Sequence, residues 1–287
     1  MLTGCGITAT TRSGTNLCRT TKTLDKVGDV CFGLPGVCLI PTSSTLISAR
    51  MYNCWLPAAS IAVSWVNPDW VARLFFHSDN SPVHGQWFPT AETATVQLWD
   101  QAYDDGTRHN FSVSLYQKSL TEDYPNGNWW HSALTQGFSQ MGMLPIPEWT
   151  DETYRVYGIH HENGSFWHNN GIPAVAMAML TGRPVKVATK DEIPGGIDEW
   201  WGYIQHANES PVVVTTVGVN NTVKTTPEIH GNHAYAVLTT MEEPVGNRTV
   251  LMRNPWGTQD WYKAEDVWTN SFYLNHLVNF TRLEWAE

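Results

Sequence analysis

Two short segments near the C-terminal end constrain the fold of this chain more than any other feature. They are residues 231–237 (Gly-Asn-His-Ala-Tyr-Ala-Val) and 253–257 (Arg-Asn-Pro-Trp-Gly). Each adjoins a run rich in β-branched residues, at 234–239 and 249–253, and turn-forming residues lie between them at 244–247. The pattern predicts an antiparallel hairpin. A hairpin centred in the loop 241–247 pairs His233 with Asn254, and so places an imidazole beside an amide at one end of a sheet.

A third segment, residues 53–59 (Asn-Cys-Trp-Leu-Pro-Ala-Ala), predicts a helix that starts at Cys54 with Asn53 as its N-cap. If Asn53 is the cap, Pro57 removes the first intrahelical hydrogen bond, and the helix then begins slightly later or distorted. Apolar residues follow at spacings of three, four and three, as on one buried face: Leu56, Ala59, Val63 and Val66.

These segments supply a set of groups for nucleophilic chemistry. A thiol becomes a nucleophile when an imidazole takes its proton and a third group orients that imidazole. Cys54, His233 and Asn254 are therefore the candidate nucleophile, base and orienting amide. A thiol at a helix N-terminus beside an imidazole is expected to have a lowered pKa, which gives a thiolate–imidazolium pair.

The rest of the chain divides into a helical part and a sheet-rich part. Alternating apolar residues predict a hairpin between Thr93 and Tyr116, and β-branched residues predict a strand at 212–217. Three further helices are predicted by apolar periodicity, at 130–141, at 172–180 and around 197–204. We expect an irregular Cys-rich extension at 1–40, a helical lobe with the nucleophile at 41–183, and a β-rich lobe at 184–287.

Residues 53–59 resemble the Asp-Cys-Trp-Leu-Leu-Ala-Ala stretch of calpain-type cysteine proteases. The two C-terminal segments resemble the Gly-His-Ala-Tyr-Ser and Arg-Asn-Pro-Trp-Gly motifs of the same family. The similarity covers roughly residues 45–265. It implies an α+β fold of the papain-like, two-lobed type, with the cysteine on a helical lobe and the histidine and asparagine on an antiparallel sheet. It also implies a cysteine-type endopeptidase that hydrolyses peptide bonds through an acyl-enzyme.

Residue by residue, the resemblance implies that Cys54 is the nucleophile, His233 the base and Asn254 its orienting group. Trp256 is then the active-site wall that shields this polar pair from water. The family carries a glutamine six residues before the cysteine, whose amide helps to bind the oxyanion, and here that position is Ser48. A serine hydroxyl is a partial substitute at most, and a lost oxyanion donor costs ~10²–10³ in rate. Ca²⁺ is a possible cofactor by resemblance alone, since no acidic calcium loop of the family can be matched.

Two other functions remain open on the sequence. A catalytically inactive calpain-like binding module is favoured by Ser48, and an unreactive Cys54 would identify it. A cysteine-dependent acyltransferase uses the same three groups and differs in which nucleophile takes the acyl group. Three histidines lie close together in the sequence, at His160, His161 and His168. They lack a suitably spaced acid or thiol, so no metal site is predicted there.

The composition of the chain limits the classes of partner that it is expected to bind. The formal net charge of −10 disfavours nucleic acid, because phosphate binding needs a basic surface. The longest apolar stretches, such as 172–180, are much shorter than the ~20 residues of a membrane helix, so no membrane partner is expected. A polypeptide substrate is the expected partner.

Cysteine placement and sequons favour an extracellular location, with a cytoplasmic location as the alternative. Four cysteines lie in the first forty residues, and in an oxidising compartment they form two disulfides in any of three connectivities, leaving Cys54 free. Six Asn-x-Ser/Thr sites occur where about three are expected by chance; they begin at Asn110, Asn163, Asn208, Asn220, Asn247 and Asn279.

Overall fold

The structure, a computed structural model, combines helices with antiparallel sheets in an α+β fold. The residues that it describes are 17–19, 30–32, 54–76, 93–100, 107–114, 129–141, 161–162, 165–166 and 171–284. Ser48, Asn53, His160 and His168 lie outside these ranges, as do Cys5 and Cys38.

The described part of the chain contains six α-helices. They are α1 (Trp55–Val66), α2 (Pro68–Ala72), α3 (Trp129–Met141), α4 (Pro173–Thr181), α5 (Gly196–Ile204) and α6 (Ala264–Asn270). The helices predicted at 130–141, 172–180 and 197–204 are confirmed. Gly182 ends α4 with a φ of 62°, the left-handed conformation that glycine adopts without a Cβ penalty.

Six strands form the main antiparallel sheet: β8 (Val185–Thr189), β9 (Val212–Thr216), β10 (Ala234–Glu242), β11 (Arg248–Arg253), β12 (Gln259–Lys263) and β13 (Ser271–Leu277). Their order across the sheet is β12-β11-β10-β9-β13-β8. The predicted strands at 212–217, 234–239 and 249–253 are confirmed as β9, β10 and β11.

Smaller sheets lie earlier in the chain. The strands β3 (Phe75–Phe76), β4 (Thr93–Trp99) and β5 (Arg108–Ser114) form one of them, which confirms the hairpin predicted between Thr93 and Tyr116. The strands β6 (His161–Glu162) and β7 (Ser165–Phe166) pair with each other. Within the region predicted to be irregular, β1 (Leu17–Arg19) and β2 (Val30–Phe32) pair antiparallel with Cys18 opposite Cys31.

Apolar side chains cover both faces of the main sheet. One face packs with α1, α3, α4 and the small sheet β3–β5 around buried residues such as Val213, Ala236 and Leu251. The other face packs with α5 and α6 around Val214, Val237 and others. This division follows from the two-residue period of a strand, since neighbouring side chains point to opposite faces. The predicted lobe boundary at residue 183 lies between α4 and β8.

Helix α1 starts one residue later than predicted. Its N-cap is Cys54, not Asn53, and the first intrahelical bond runs from Ala58 N–H to the Cys54 carbonyl at 3.0 Å. Pro57 thereby falls among the first three helical positions, whose N–H groups have no intrahelical partner, so its missing donor costs no bond. The predicted apolar face is buried at Leu56, Ala59 and Val63.

The predicted hairpin register is wrong. Ala236 pairs with Arg253, and beyond an irregularity between Val237 and Thr239 the pairing moves by one residue, so that Thr239 faces Leu251. The hydrogen bond from Glu243 N–H to the Asn247 carbonyl closes the connecting loop, which is therefore centred later in the chain than the predicted pairing of His233 with Asn254 requires. His233 precedes β10 and Asn254 follows β11, so any contact between them comes from side chains beyond the strand ends.

No helix among the described residues is both long enough and apolar enough to cross a bilayer.

Candidate active site

His233 and Asn254 are in direct contact at the end of the main sheet. The Nε2 of His233 lies 2.8 Å from the Oδ1 of Asn254, and both residues are buried, at 3% and 4% exposure. The contact that the sequence predicts is therefore present, although the backbone register is not the predicted one.

The tautomer of His233 follows from a second hydrogen bond to the same oxygen. The backbone N–H of Trp256 donates to Asn254 Oδ1 at 2.9 Å, which identifies that atom as the carbonyl oxygen of the amide. Because Oδ1 only accepts, Nε2 of His233 must carry a proton and donate it. In a neutral ring the free Nδ1 is then the basic nitrogen. Asn254 thus leaves His233 ready to accept a proton at Nδ1.

A local backbone turn brings His233 into position. Asn232 has a φ of 51°, in the left-handed region that asparagine tolerates better than most residues, and its N–H donates to the Val217 carbonyl at 2.8 Å. Gly231 precedes it, and a Cβ there would lie 2.6 Å from the Cα of Val219. Only glycine allows this approach, so the segment before His233 is fixed against the residues that follow β9.

Thr216, at the end of β9, holds the backbone of the same segment. Its hydroxyl accepts from the N–H of His233 at 2.9 Å and lies 2.7 Å from the carbonyl of His230, to which it donates. This role could not be predicted from the sequence, because a hydroxyl in a β-branched run is an ordinary strand feature.

Cys54 lies at the N-terminus of α1, which packs against β10. Its thiol is within hydrogen-bonding reach of the backbone of Ala234, the residue after His233, and of the backbone of Trp55 and of Cys54 itself. The side chain is partly buried, and Cys54 is a free cysteine. The structure therefore brings Cys54 to the start of β10, beside the segment that carries His233.

Burial decides the charge state of this pair. Desolvation raises the pKa of the Cys54 thiol above its ordinary value of 9.0, and the three backbone hydrogen bonds only partly oppose this. Desolvation also lowers the pKa of His233 to about 4, although the bond to Asn254 favours the protonated ring. The lowered thiol pKa expected from the sequence is thus the wrong direction. Both shifts favour a neutral thiol and a neutral imidazole in the resting site at neutral pH.

Trp256 covers the polar pair from the solvent side. Its ring centroid lies 4.4 Å from that of His233, while the residue itself keeps 42% of its surface exposed. Tyr235, fully buried, also contacts His233, edge-on at a centroid distance of 5.0 Å. Contact with two aromatic rings explains why so little water reaches the imidazole.

The described residues contain no group of three or more histidine, cysteine, aspartate or glutamate side chains placed to hold a metal ion. Of the predicted site residues, the structure places Cys54, His233, Asn254 and Trp256 together. The predicted oxyanion residue Ser48 lies outside the described ranges, so its role stays a prediction. No protein-family model matches this chain, and no curated protein matches it either.

Proposed function

We propose that the chain is a calpain-like cysteine endopeptidase, with a papain-like two-lobed core in which Cys54 and His233 face each other across a cleft. The observation that carries the proposal is the pair of hydrogen bonds that Asn254 Oδ1 accepts, from His233 Nε2 and from Trp256 N–H. These bonds direct Nδ1, the basic nitrogen of His233, away from the Asn254 amide. The thiol of Cys54 lies beside the backbone of Ala234, the residue that follows His233. A base with a fixed tautomer next to a free thiol is the arrangement that nucleophilic catalysis requires.

The first step is acylation. As Cys54 Sγ attacks the peptide carbonyl carbon, its proton passes to Nδ1 of His233, so the thiolate–imidazolium pair forms during attack. The imidazolium is stabilised by Asn254 Oδ1, which already accepts from Nε2. The carbonyl oxygen takes up negative charge near the backbone amides of Cys54 and Trp55 at the helix N-terminus, whose dipole favours negative charge.

Collapse of the intermediate breaks the carbon–nitrogen bond. The proton on His233 passes to the leaving amine, and the acyl group stays on Cys54 as a thioester. Water then attacks the thioester while His233 takes a proton from it, and the proton returns to the sulfur as the acid product leaves. Trp256 limits the access of other water to the His233–Asn254 bond throughout.

A catalytically inactive calpain-like binding module is the second candidate. Two observations favour it: serine replaces the family's glutamine at position 48, and burial raises the pKa of the Cys54 thiol. A neutral, partly buried thiol without that oxyanion donor reacts slowly. In this case the cleft binds a polypeptide without cleaving it.

Acyl-enzyme trapping separates these candidates. Activated peptide esters of varied sequence are mixed with the protein, and the intact mass is followed in the wild type, Cys54→Ala and His233→Ala. We expect a single acyl group on Cys54 of the wild type, none on Cys54→Ala, and slower acylation of His233→Ala. The same proteins are then tested on quenched fluorescent peptides for hydrolysis. No acylation in any of the three proteins would contradict the proposal and favour the binding module.

An added amine tests the acyltransferase alternative. If the acyl-enzyme transfers its group to a simple primary amine much faster than to water, the amide product dominates and the chain is an acyltransferase. If hydrolysis dominates at moderate amine concentration, the endopeptidase proposal stands.

A further inference from the structure

A second histidine, His230, lies beside the site and has no part in the proton transfers above. Its ring centroid is 4.7 Å from that of Trp256 and 6.2 Å from that of His233. Trp256 in turn lies 4.4 Å from His233. His230, His233 and Trp256 therefore form a closed three-ring cluster, in which the indole of Trp256 touches both imidazoles.

The backbone of His230 is held from two sides. Its N–H donates to the hydroxyl of the buried Tyr235 at 2.9 Å, and its carbonyl accepts from the hydroxyl of Thr216 at 2.7 Å. The same Thr216 hydroxyl accepts from the N–H of His233. The two histidines thus share one anchor, which fixes the backbone of His230 relative to that of His233.

Trp256 is held less completely. It lies in the turn after Asn254, where the N–H of Gly257 donates to the Asn254 carbonyl at 2.8 Å, and its own N–H donates to Asn254 Oδ1. These bonds fix its backbone, but its side chain is at the surface and 42% of the residue is exposed. Both imidazoles contact its indole, so the position of the ring depends on them.

We propose that His230 is a positioning residue: its ring holds the indole of Trp256 over His233 and so keeps water from the hydrogen bond between His233 and Asn254. This inference rests on the proposed function, since it assigns the base of that reaction a dry environment. The proposed role needs no charge on His230, because His230 and Trp256 contact each other through the faces and edges of their rings.

Among the described residues, few charged or titratable groups surround the cluster. Cys54, at the start of α1, lies beside the backbone of Ala234, the residue after His233, and Tyr235 contacts the ring of His233 from β10. Glu228 faces His230, with its Oε1 3.8 Å from His230 Nδ1 and three-quarters of its side chain exposed. His230 also opposes protonation of His233 by charge repulsion, but desolvation is the largest cause of the low pKa of His233. The exclusion of water by Trp256 should therefore affect the pKa of His233 more than the charge of His230 does.

The test is a titration of His233 by NMR on histidine-labelled protein, with the His233 signal assigned by its absence in His233→Ala. In His230→Ala the indole loses its support, water reaches His233, and we expect the pKa of His233 to rise from about 4 toward its ordinary value of about 6.5. In His230→Phe a ring remains and the charge is gone, so the pKa should stay near 4. The acid limb of the pH profile of kcat/KM should move with the pKa.

A double-mutant cycle shows whether His230 acts through Trp256. Trp256→Ala should itself raise the pKa of His233, and adding His230→Ala should then change it little. Equal pKa values in wild type and His230→Ala, or an equal rise in His230→Phe and His230→Ala, would overturn the inference. Peptide hydrolysis with an unchanged pKa would overturn only this inference, whereas a raised pKa without hydrolysis in any variant would overturn only the proposed function.

Discussion

His233 and Asn254 meet through one oxygen that serves two donors. Asn254 Oδ1 accepts from His233 Nε2 at 2.8 Å and from the N–H of Trp256 at 2.9 Å. The second bond matters because it excludes a flipped amide, in which a nitrogen would face another N–H. The orientation of the base is thus set by a backbone group two residues after the asparagine.

Replacement of Asn254 by aspartate should change the charge of His233. A carboxylate beside Nε2 stabilises the protonated ring, so the pKa of His233 should rise above its value of about 4. Asn254→Ala removes the orienting group without adding a charge, and we expect peptide hydrolysis to fall by ~10- to 100-fold. NMR titration measures the first effect and steady-state kinetics the second. An unchanged pKa in Asn254→Asp would mean that the two side chains do not touch in solution.

The resting thiol should be neutral over the physiological range. Because burial raises the pKa of Cys54, the ultraviolet thiolate band should be absent at neutral pH and should appear only above pH 9. The difference spectrum between wild type and Cys54→Ala isolates this band from tyrosine ionisation. A band already present at pH 6, and lost in His233→Ala, would show instead that a thiolate–imidazolium pair exists before substrate binds.

Thr216 should contribute to both stability and activity through its hydroxyl. Thr216→Val keeps the shape of the side chain but leaves the buried N–H of His233 without this acceptor, which costs about 1–3 kcal/mol. Thr216→Ser retains the hydroxyl and is the matched control. Denaturant unfolding of both variants gives the free energies. If Thr216→Val were as stable as Thr216→Ser, the hydroxyl would not be the anchor of this segment.

Acid should destabilise the fold through buried histidines. Desolvation lowers the pKa of His276 to about 4, and its Nδ1 lies 2.7 Å from the Leu277 carbonyl. In the unfolded chain the pKa is about 6.5, so the unfolded state binds a proton first as the pH falls. The stability that the neutral His276 contributes is therefore fully present above about pH 6.5, and it is lost progressively as the pH falls to about 4. Between pH 7 and 5 the loss is about 2 kcal/mol for one such histidine.

His276→Phe removes this proton-binding group and keeps an aromatic ring against Phe280, whose centroid is 4.2 Å from that of His276. The loss of stability between pH 7 and 5, measured by denaturant unfolding, should be smaller in the variant than in the wild type. Identical pH dependence would show that His276 titrates normally in the folded protein.

Local pattern predicted the elements well and their tertiary relations only in part. The helix that carries Cys54 and the strands on either side of the His233–Asn254 contact follow from periodicity and β-branched runs. The hairpin register does not, because the connecting loop is centred later in the chain than predicted, and the irregularity between Val237 and Thr239 offsets only part of that displacement. His233 and Asn254 still meet, since both side chains extend beyond the strand ends.

The pKa directions and the supporting hydroxyls depend on packing, which is why the sequence did not predict them. A helix N-terminus favours a thiolate, but the depth of Cys54 among its neighbours outweighs that effect. Thr216 and Tyr235 are ordinary strand residues in the sequence. They reach the His230–His233 segment only because β9 and β10 pair with Thr215 opposite Ala234.

Gly171 should be required for the position of Trp55, the residue after Cys54. A Cβ at Gly171 would overlap the indole of Trp55, which is 2% exposed and edge-on to Phe138. Gly171→Ala should therefore destabilise the fold by about 1–3 kcal/mol through overpacking and slow the acylation of Cys54. Gly202→Ala in α5 is the control, because no atom lies within 4 Å of its Cβ position, and it should be neutral or stabilise by about 0.5–1 kcal/mol. Unfolding free energies and acylation rates of both variants test this, and equal values would mean that Trp55 can move aside without disturbing the nucleophile.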